Sequence, residues 1–476
     1  MRHLTATQIA RLLDVDRTAR PYYRALAQAV RGLIRDGQIP VHVRMPAERH
    51  LAETLQVSRT TVTAAYDQLR EQGYLGSRQG SGSWTSLPDP ATTSDNPWLS
   101  VDDDGLLQLH CAAPPATSRL QPAMVAAVED VPRYAMGTGY DPMGLPHLRE
   151  RIAARYTERG LATRPEQILV TTGSQHAIQL VMSLLVGQGD PVIVESPTYP
   201  HAIDVARQHG ARIVPVGISQ EGWQLDLVSA AMRQSGARMA YLMPDFNNPT
   251  GALMDDATRA AIVGEARRSD TILLIDETWA ELAMDEVPRT AAMAAFDTDS
   301  RVISIGSASK LWWGGLRIGW VRTTAALARR LAVQRSAVDI ASPVLEQLVV
   351  ARLFDEFAQT RAERSRTLRA SRDALVAALR EHLPEWSFSV PRGGGTLWIR
   401  LDRGGATPLA EAAAHHGVRL APGPWFGVDG ALEGYLRLPF TQPPQVLAEG
   451  VAKIAEARRR GPVGPRPTGA SLIPTV

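Results

Sequence analysis

Near the start of the chain, Tyr22, Leu26, Val30, Leu33 and Ile34 recur at helical spacing, predicting an amphipathic helix over 22–36 that stops at Gly37. "PAERHLAETL" predicts a second, short helix, "QV" a turn, and "SRTTVTAAYDQLREQG" a third helix. Ser58 is a good N-cap for that helix, Val62, Tyr66 and Leu69 form its inward face, and Gly73 ends it. "YLGSRQGSGSW" then reads as two short strands around a glycine-rich tip. Three helices and a hairpin make a winged helix-turn-helix over residues 1–84.

Residues 85–105 are rich in Pro, Ser, Thr and Asp, hold few core positions and read as a linker. Beyond them the pattern changes to apolar runs, "QILVTTG", "PVIVES", "ARIVPV", "RMAYLMP", "TILLID" and "RVISIG", alternating with helical segments. Runs that are apolar on both faces imply a mainly parallel sheet covered by helices. Near residue 342 long helices take over, followed by "FSVPRGGGTLWIRL" and "EGYLRLPF" as strands of a smaller α+β subdomain. The body therefore spans 106–460, and the Pro/Gly-rich stretch 461–476 is expected to be a disordered tail.

Composition changes this picture in three places. The net charge is +2, but residues 1–84 carry +5 and the remainder −3, so only the first module suits a polyanion such as DNA. Cys111 is the single cysteine, which excludes an internal disulfide and fits a reducing cytoplasm. The opening residues hold no apolar signal core, and no run approaches the roughly 18 apolar residues of a membrane span.

In a helix-turn-helix, the second helix presents its N-terminal residues to base edges in the major groove. Arg59, Thr60, Thr61 and Thr63 occupy that face here, and arginine and threonine read bases or grip phosphate. The string "MPAERHLAETLQVSRTTVTAAYDQLREQGYLGSRQGSG" resembles the DNA-binding domain of the GntR family over nearly its whole length. That resemblance implies DNA contacts at Arg49, Ser58, Arg59, Thr60, Thr61, Thr63, Gln79 and Gly80. One departure is His42, where the family usually carries glycine.

Lysine occurs only at 310 and 453. Base-composition bias explains the scarcity, yet Lys310 stands in "SIGSASKLWWGGLRIGW", where an arginine could not lose its proton to become a nucleophile. A Schiff-base lysine with pyridoxal phosphate needs a phosphate cup, a partner for the pyridine nitrogen, a donor for the ring oxygen and a cover for the ring. Gly173, Ser174 and Gln175 open a helix after a strand and suit phosphate. Asp276 ends "LLID", Asn248 lies in "NNPTG", Tyr199 in "ESPTYP", and Ser307, Ser309 and Arg317 flank Lys310. Each piece alone is compatible with ordinary capping or packing; their order and spacing carry the case.

That order resembles the fold-type I, class I and II aminotransferases over residues 106–460. The resemblance implies that Lys310 is the internal-aldimine lysine, that Asp276 pairs with the pyridine nitrogen and that Arg317 binds phosphate. It further implies that Arg437 in "YLRLPF" takes a substrate carboxylate and that Tyr140 in "GYDPMGLPHLR" reaches the neighbouring subunit's cofactor. The family's tyrosine two or three residues after the aspartate is replaced by Thr278 and Trp279. Losing that phenol is expected to raise the aldimine pKa and weaken transamination while leaving cofactor binding possible. No metal site is expected.

Together the halves resemble the MocR subfamily of GntR-type regulators. The resemblance implies a head-to-tail homodimer, each N-terminal module lying over its partner's large domain, that binds double-stranded DNA and senses an amino compound or pyridoxal phosphate. A working aminotransferase with an attached DNA-binding module, and a regulator whose large domain only dimerises or senses the cofactor itself, stay open at this stage.

Overall fold

A computed structural model describes residues 3–13, 15, 20–78, 82–87, 105–219 and 222–460. The expected wing-tip contacts Gln79 and Gly80, most of the linker and the whole tail lie outside the described residues.

The N-terminal module holds α1 (Ala6–Leu12), α2 (Tyr22–Arg35), α3 (Glu48–Leu55), α4 (Arg59–Glu71), β1 (Leu75–Arg78) and β2 (Gly82–Thr85). The short α1 was not expected from the pattern. It starts in a capping box between Thr5 and Gln8 and contributes only Ile9 to the buried set. Two turns of helix leave too few apolar repeats to stand out. The turn between α3 and α4 is made by Gln56, which adopts a left-handed φ of 57°, and by Ser58, whose Oγ accepts the Thr61 N–H. β1 and β2 pair antiparallel from Leu75↔Thr85 to Arg78↔Gly82.

The body runs β3 (Leu107–Leu109), α5 (Leu120–Ala135), α6 (Pro146–Glu158), β4 (Ile168–Thr171), α7 (Ser174–Leu185), β5 (Pro191–Ser196), α8 (Pro200–Gln208), β6 (Arg212–Ser219) and β7 (Gly222–Trp223). It continues through α9 (Leu225–Ser235), β8 (Met239–Leu242), α10 (Asp256–Arg268), β9 (Ile272–Asp276), β10 (Val302–Ser307) and β11 (Gly319–Arg322). Then come α11 (Ala325–Arg335), α12 (Val344–Asp355), α13 (Phe357–His382), β12 (Thr396–Arg400), α14 (Ala406–His415), β13 (Val418–Pro422), β14 (Tyr435–Pro439) and α15 (Pro444–Arg460).

Eight strands form the central sheet in the order β4-β11-β10-β9-β8-β5-β6-β7. The inner run β10-β9-β8-β5-β6 is parallel, while β11 is antiparallel to both its neighbours and β7 to β6. β4, β8 and β10 are buried at every position, as their unbroken apolar runs require. Crossovers between parallel strands put the site-bearing turns at the strands' C-terminal ends, where such sheets bind ligands.

The smaller sheet, β12-β14-β13-β3, recruits β3 from the start of the body in parallel with β13. β3, β7, β11 and β13 were not foreseen, being two to five residues long. Of "FSVPRGGGTLWIRL" only Thr396–Arg400 is strand. Gly393 and Gly395 before it lie where a Cβ would meet the rings of Phe246 and Trp279, at 2.3 Å each. Among the described residues no helix is long and apolar enough to cross a membrane.

Candidate functional site

Lys310 follows β10, the strand of the large sheet flanked by β9 and β11. Its Nζ donates to Ala112 O at 2.9 Å and stands 5.3 Å from the centre of the Trp279 ring. Burial lowers its pKa below the ordinary amine value, with Arg437 and Arg317 pushing the same way and Cys111 and Asp276 opposing. A lysine held in this way gives up its proton more readily than one in water.

Asp276 ends β9 and is buried. Its Oδ2 accepts from Tyr241 Oη at 2.7 Å and its Oδ1 from the Thr278 N–H at 2.8 Å. Tyr241 was not foreseen: it sits in the "MAYL" run, where it reads as core. Burial and the neighbouring Asp276 push its pKa well above the ordinary phenol value, so it remains a donor.

Asn248 is buried in the turn after β8 and accepts from Arg437 Nη1 at 3.4 Å. The turn is held by Asn247, whose amide donates to Glu195 at 2.8 Å and whose carbonyl oxygen accepts from Thr250. Glu195 also accepts from Trp223 Nε1 and the Met243 N–H, and burial pushes it up to about 8. Glu195 was missed because nothing in "VIVES" marks its carboxylate as inward.

Tyr199 caps the start of α8, and burial together with Asp276 raises its pKa. Arg437, on β14, is 2% exposed. It donates to His110 O and lays its guanidinium 4.6 Å from the centre of the Phe426 ring. Burial pulls its pKa down to about 10, so an incoming carboxylate would restore what desolvation costs this cation.

Gly173 caps α7 with a φ of 89°, and a Cβ there would lie 2.5 Å from Arg317 Nη2. A Cβ on Gly319 would lie 2.7 Å from Ser174 N. Two missing side chains thus bring Arg317 and β11 against the open helix end. Arg317 donates to Gly314 O and Thr172 O, and Ser307 Oγ accepts the Ser309 N–H at 3.1 Å. Gln175 Oε1 is buried and, among the described residues, has no hydrogen-bond partner. Gln175 and Arg317, with Thr172, His176 and Asp339, line an open cavity of about 950 Å³.

A pyridoxal phosphate fits these groups: an anion cradle at the α7 N-terminus, where Gly173 and Gly319 let Arg317 and β11 close on the open helix end, a carboxylate, and a desolvated amine. The structure does not bring Tyr140 to it; that side chain is 68% exposed. Trp279, where the family's phenol is expected, is fully buried against Gly395 and the lysine. Thr278 Oγ1 is buried without a partner among the described residues.

In the N-terminal module Ser58, Arg59 and Thr60 are exposed at the start of α4, with Thr61 beside them. The Ser58, Thr60 and Thr61 hydroxyls form a cluster at 2.7–2.8 Å. Arg49 is exposed and pairs with Glu53 at 2.9 Å. Thr63 lies deeper, and its hydroxyl donates to Glu48 at 2.8 Å.

Residues 118–454 match the family profile "Aminotransferase class I and II", and residues 22–84 match "Bacterial regulatory proteins, gntR family". The chain is 31% identical over 446 residues to "Probable rhizopine catabolism regulatory protein MocR" of Rhizobium meliloti, covering 86% of this chain and 88% of that one. It is 30% identical over 331 residues to a Thermus thermophilus 2-aminoadipate transaminase, covering 68% of this chain and 81% of that one. Among solved structures, kynurenine aminotransferase of Pyrococcus horikoshii, in complex with PMP, superposes with a TM-score of 0.70 at 26% identity, over 75% of this chain and 91% of that one.

Proposed function

Because the chain belongs to the MocR-type regulators, with a GntR-family module joined to an aminotransferase class I and II domain, we propose that it is a transcriptional regulator that binds DNA and pyridoxal phosphate and responds to an amino compound. One observation carries this reading. A single chain presents an exposed recognition-helix start and a half-buried lysine beside a buried carboxylate and arginine, while Thr278 and Trp279 stand where the family's phenol is expected. The domains are 1–84 for DNA, 85–105 as linker, 106–460 for the effector and 461–476 as tail.

When bound, pyridoxal phosphate supplies a carbonyl for amine exchange and an electron-withdrawing ring. Lys310 would attach it, its amine made easier to deprotonate by burial and oriented by the Ala112 carbonyl. Asp276, fixed by Tyr241 and the Thr278 N–H, would hold a protonated pyridine nitrogen. The N–H groups at Gly173, Ser174 and Gln175, with Ser307, Ser309 and Arg317, would hold the phosphate. Tyr199 would cover the ring, Asn248 donate to its oxygen, and Arg437 receive the effector's carboxylate.

On DNA, Arg59, Thr60 and Thr61 would face base edges or nearby phosphates, with Ser58 and Arg49 on the backbone; Thr63, held by Glu48, would contribute through α4's position. Val125, Val128, Met136, Val333 and Val338 are exposed apolar side chains of the body, which supports a homodimer; the head-to-tail arrangement rests on the likeness to the MocR-type regulators alone. Tyr140, exposed beside them in sequence, would then serve the partner's site. The cytoplasm suits a regulator with one free cysteine.

The test is an absorbance screen of the holo-protein against amino acids and amines, paired with DNA binding. An amine that shifts the visible band and changes DNA affinity supports the reading; a band that shifts with no change in DNA affinity sinks it. A second reading, an aminotransferase carrying a DNA-binding module, is favoured by the likeness to the 2-aminoadipate transaminase, and steady turnover with an amino donor would establish it.

A further inference from the structure

The turn after α2 rests on the body, and each wall of this seat runs on into a residue of the candidate site. The Leu432 N–H donates to Arg35 O at 2.7 Å. A Cβ on Gly37 would lie 3.0 Å from Leu432 Cδ2 and 3.1 Å from Ser196 Oγ, and one on Gly217 would lie 2.7 Å from Gly37 O. Backbone meets backbone at Gly217, an approach that only a residue without a side chain permits. Asp36 faces Arg400 at 3.5 Å, and His42 faces Asp429 at 3.3 Å. Leu87, in the linker just past the module, packs on the cluster that contains Phe426 and Leu432.

From Ser196 the chain reaches Tyr199, and from Leu432 it reaches Arg437. The two walls are tied by the Thr198 N–H, which donates to Phe426 O at 2.9 Å. Phe426 in turn carries Arg437 over its ring. One aromatic side chain thus separates the cation that would take a carboxylate from the surface on which the DNA-binding module sits. His42 adds a second sign of design: it adopts a left-handed φ of 59°, where a glycine would sit without strain, and its imidazole reaches Asp429. Seating leaves Ser58, Arg59 and Thr60 exposed, so DNA binding and docking do not compete for one face.

We infer that the segment Arg35–His42 is the coupling element of this protein, seated on Ser196, Gly217 and the 427–434 loop, and that a carboxylate at Arg437 is read by the DNA-binding module through Phe426 and that loop. The body segments on which the seat is built lead directly into Tyr199 and Arg437, so a ligand that favours one arrangement of Arg437 would favour one strength of docking. The consequence for DNA rests on the regulator reading above; the seat itself does not.

Hydrogen exchange on the full-length holo-protein tests it, with maleate as the probe because it carries carboxylates but no amine. The 35–42 segment should be protected, and Gly217→Val should speed its exchange at least tenfold while the visible cofactor band stays unchanged. His42→Asn with Asp429→Asn provides a milder opening should the valine prevent folding. Saturating maleate should change exchange at 35–42 at least threefold in the parent and not in Arg437→Met. Equal exchange in parent and seat variants removes the seat, and a maleate effect that is absent, or that persists in Arg437→Met, removes the coupling. A bis-maleimide bridge between His42→Cys and Asp429→Cys, in a Cys111→Ser background, should form within one chain if each module serves its own body and between chains if modules exchange; no bridge removes the seat. Loss of the visible band in the parent would instead overturn the cofactor reading.

Discussion

The Tyr241 hydroxyl donates to Asp276 across two adjacent parallel strands, at 2.7 Å and out of contact with solvent. In the register Tyr241↔Leu274 the phenol reaches the carboxylate two residues further along β9, the diagonal position on the same face. Tyr241→Phe leaves Asp276 with the Thr278 N–H alone. It should cost about 1.5–3 kcal/mol, the range for a hydrogen bond to a charged group. Denaturant unfolding of the apoprotein and cofactor titration should both record it; unchanged values in both would make the bond incidental.

Lys310→Ala should abolish the visible band of lysine-attached pyridoxal phosphate, and Lys310→Arg should do the same, since a guanidinium does not give up its proton. Both variants should still bind the cofactor weakly through Asp276 and the α7 cradle, measured by equilibrium dialysis. A retained band in either would move the attachment elsewhere.

Trp279→Tyr should restore a phenol beside the lysine. Single-turnover conversion of an amino donor should then accelerate by at least tenfold, with cofactor affinity little changed. Equal rates in parent and variant would show that the indole is not what limits transfer.

Arg59→Ala should weaken DNA binding by about 1–3 kcal/mol and relax sequence choice at one position if the guanidinium reads a base. Binding-site selection on the variant distinguishes this from a uniform loss across sequences, which would place Arg59 on phosphate. Thr63→Ala should act on module stability instead, because its hydroxyl is engaged by Glu48.

His42 is raised above the ordinary 6.5 by its bond to Asp429, and Asp429 is lowered below 3.8 by the same bond, with Arg207 at 3.5 Å also facing it. The histidine's contribution is complete below 6.5 and lost as pH rises through its raised value. The aspartate's is complete above 3.8 and lost as pH falls through its lowered one. The melting temperature of the parent relative to His42→Asn should therefore be highest between these limits and converge above the upper one. Asparagine keeps the left-handed backbone accessible, which isolates the charge. A constant difference across pH would remove the ion pair as its source.

By itself the sequence determined what depends on neighbours along the chain. Helices α2 and α4 follow from apolar spacing, the inner strands from unbroken apolar runs, and the cofactor motifs from their order around Lys310. Tertiary structure decided what depends on surfaces that meet from far apart. β3 pairs with β13, Tyr241 finds Asp276, and His110 and Ala112 supply carbonyls to Arg437 and Lys310. Thr63 turns to Glu48, and Gly217 admits Gly37. A local period records which side of an element is apolar; it carries no record of which partner covers that side, because that is settled by packing between elements that no short stretch of chain contains.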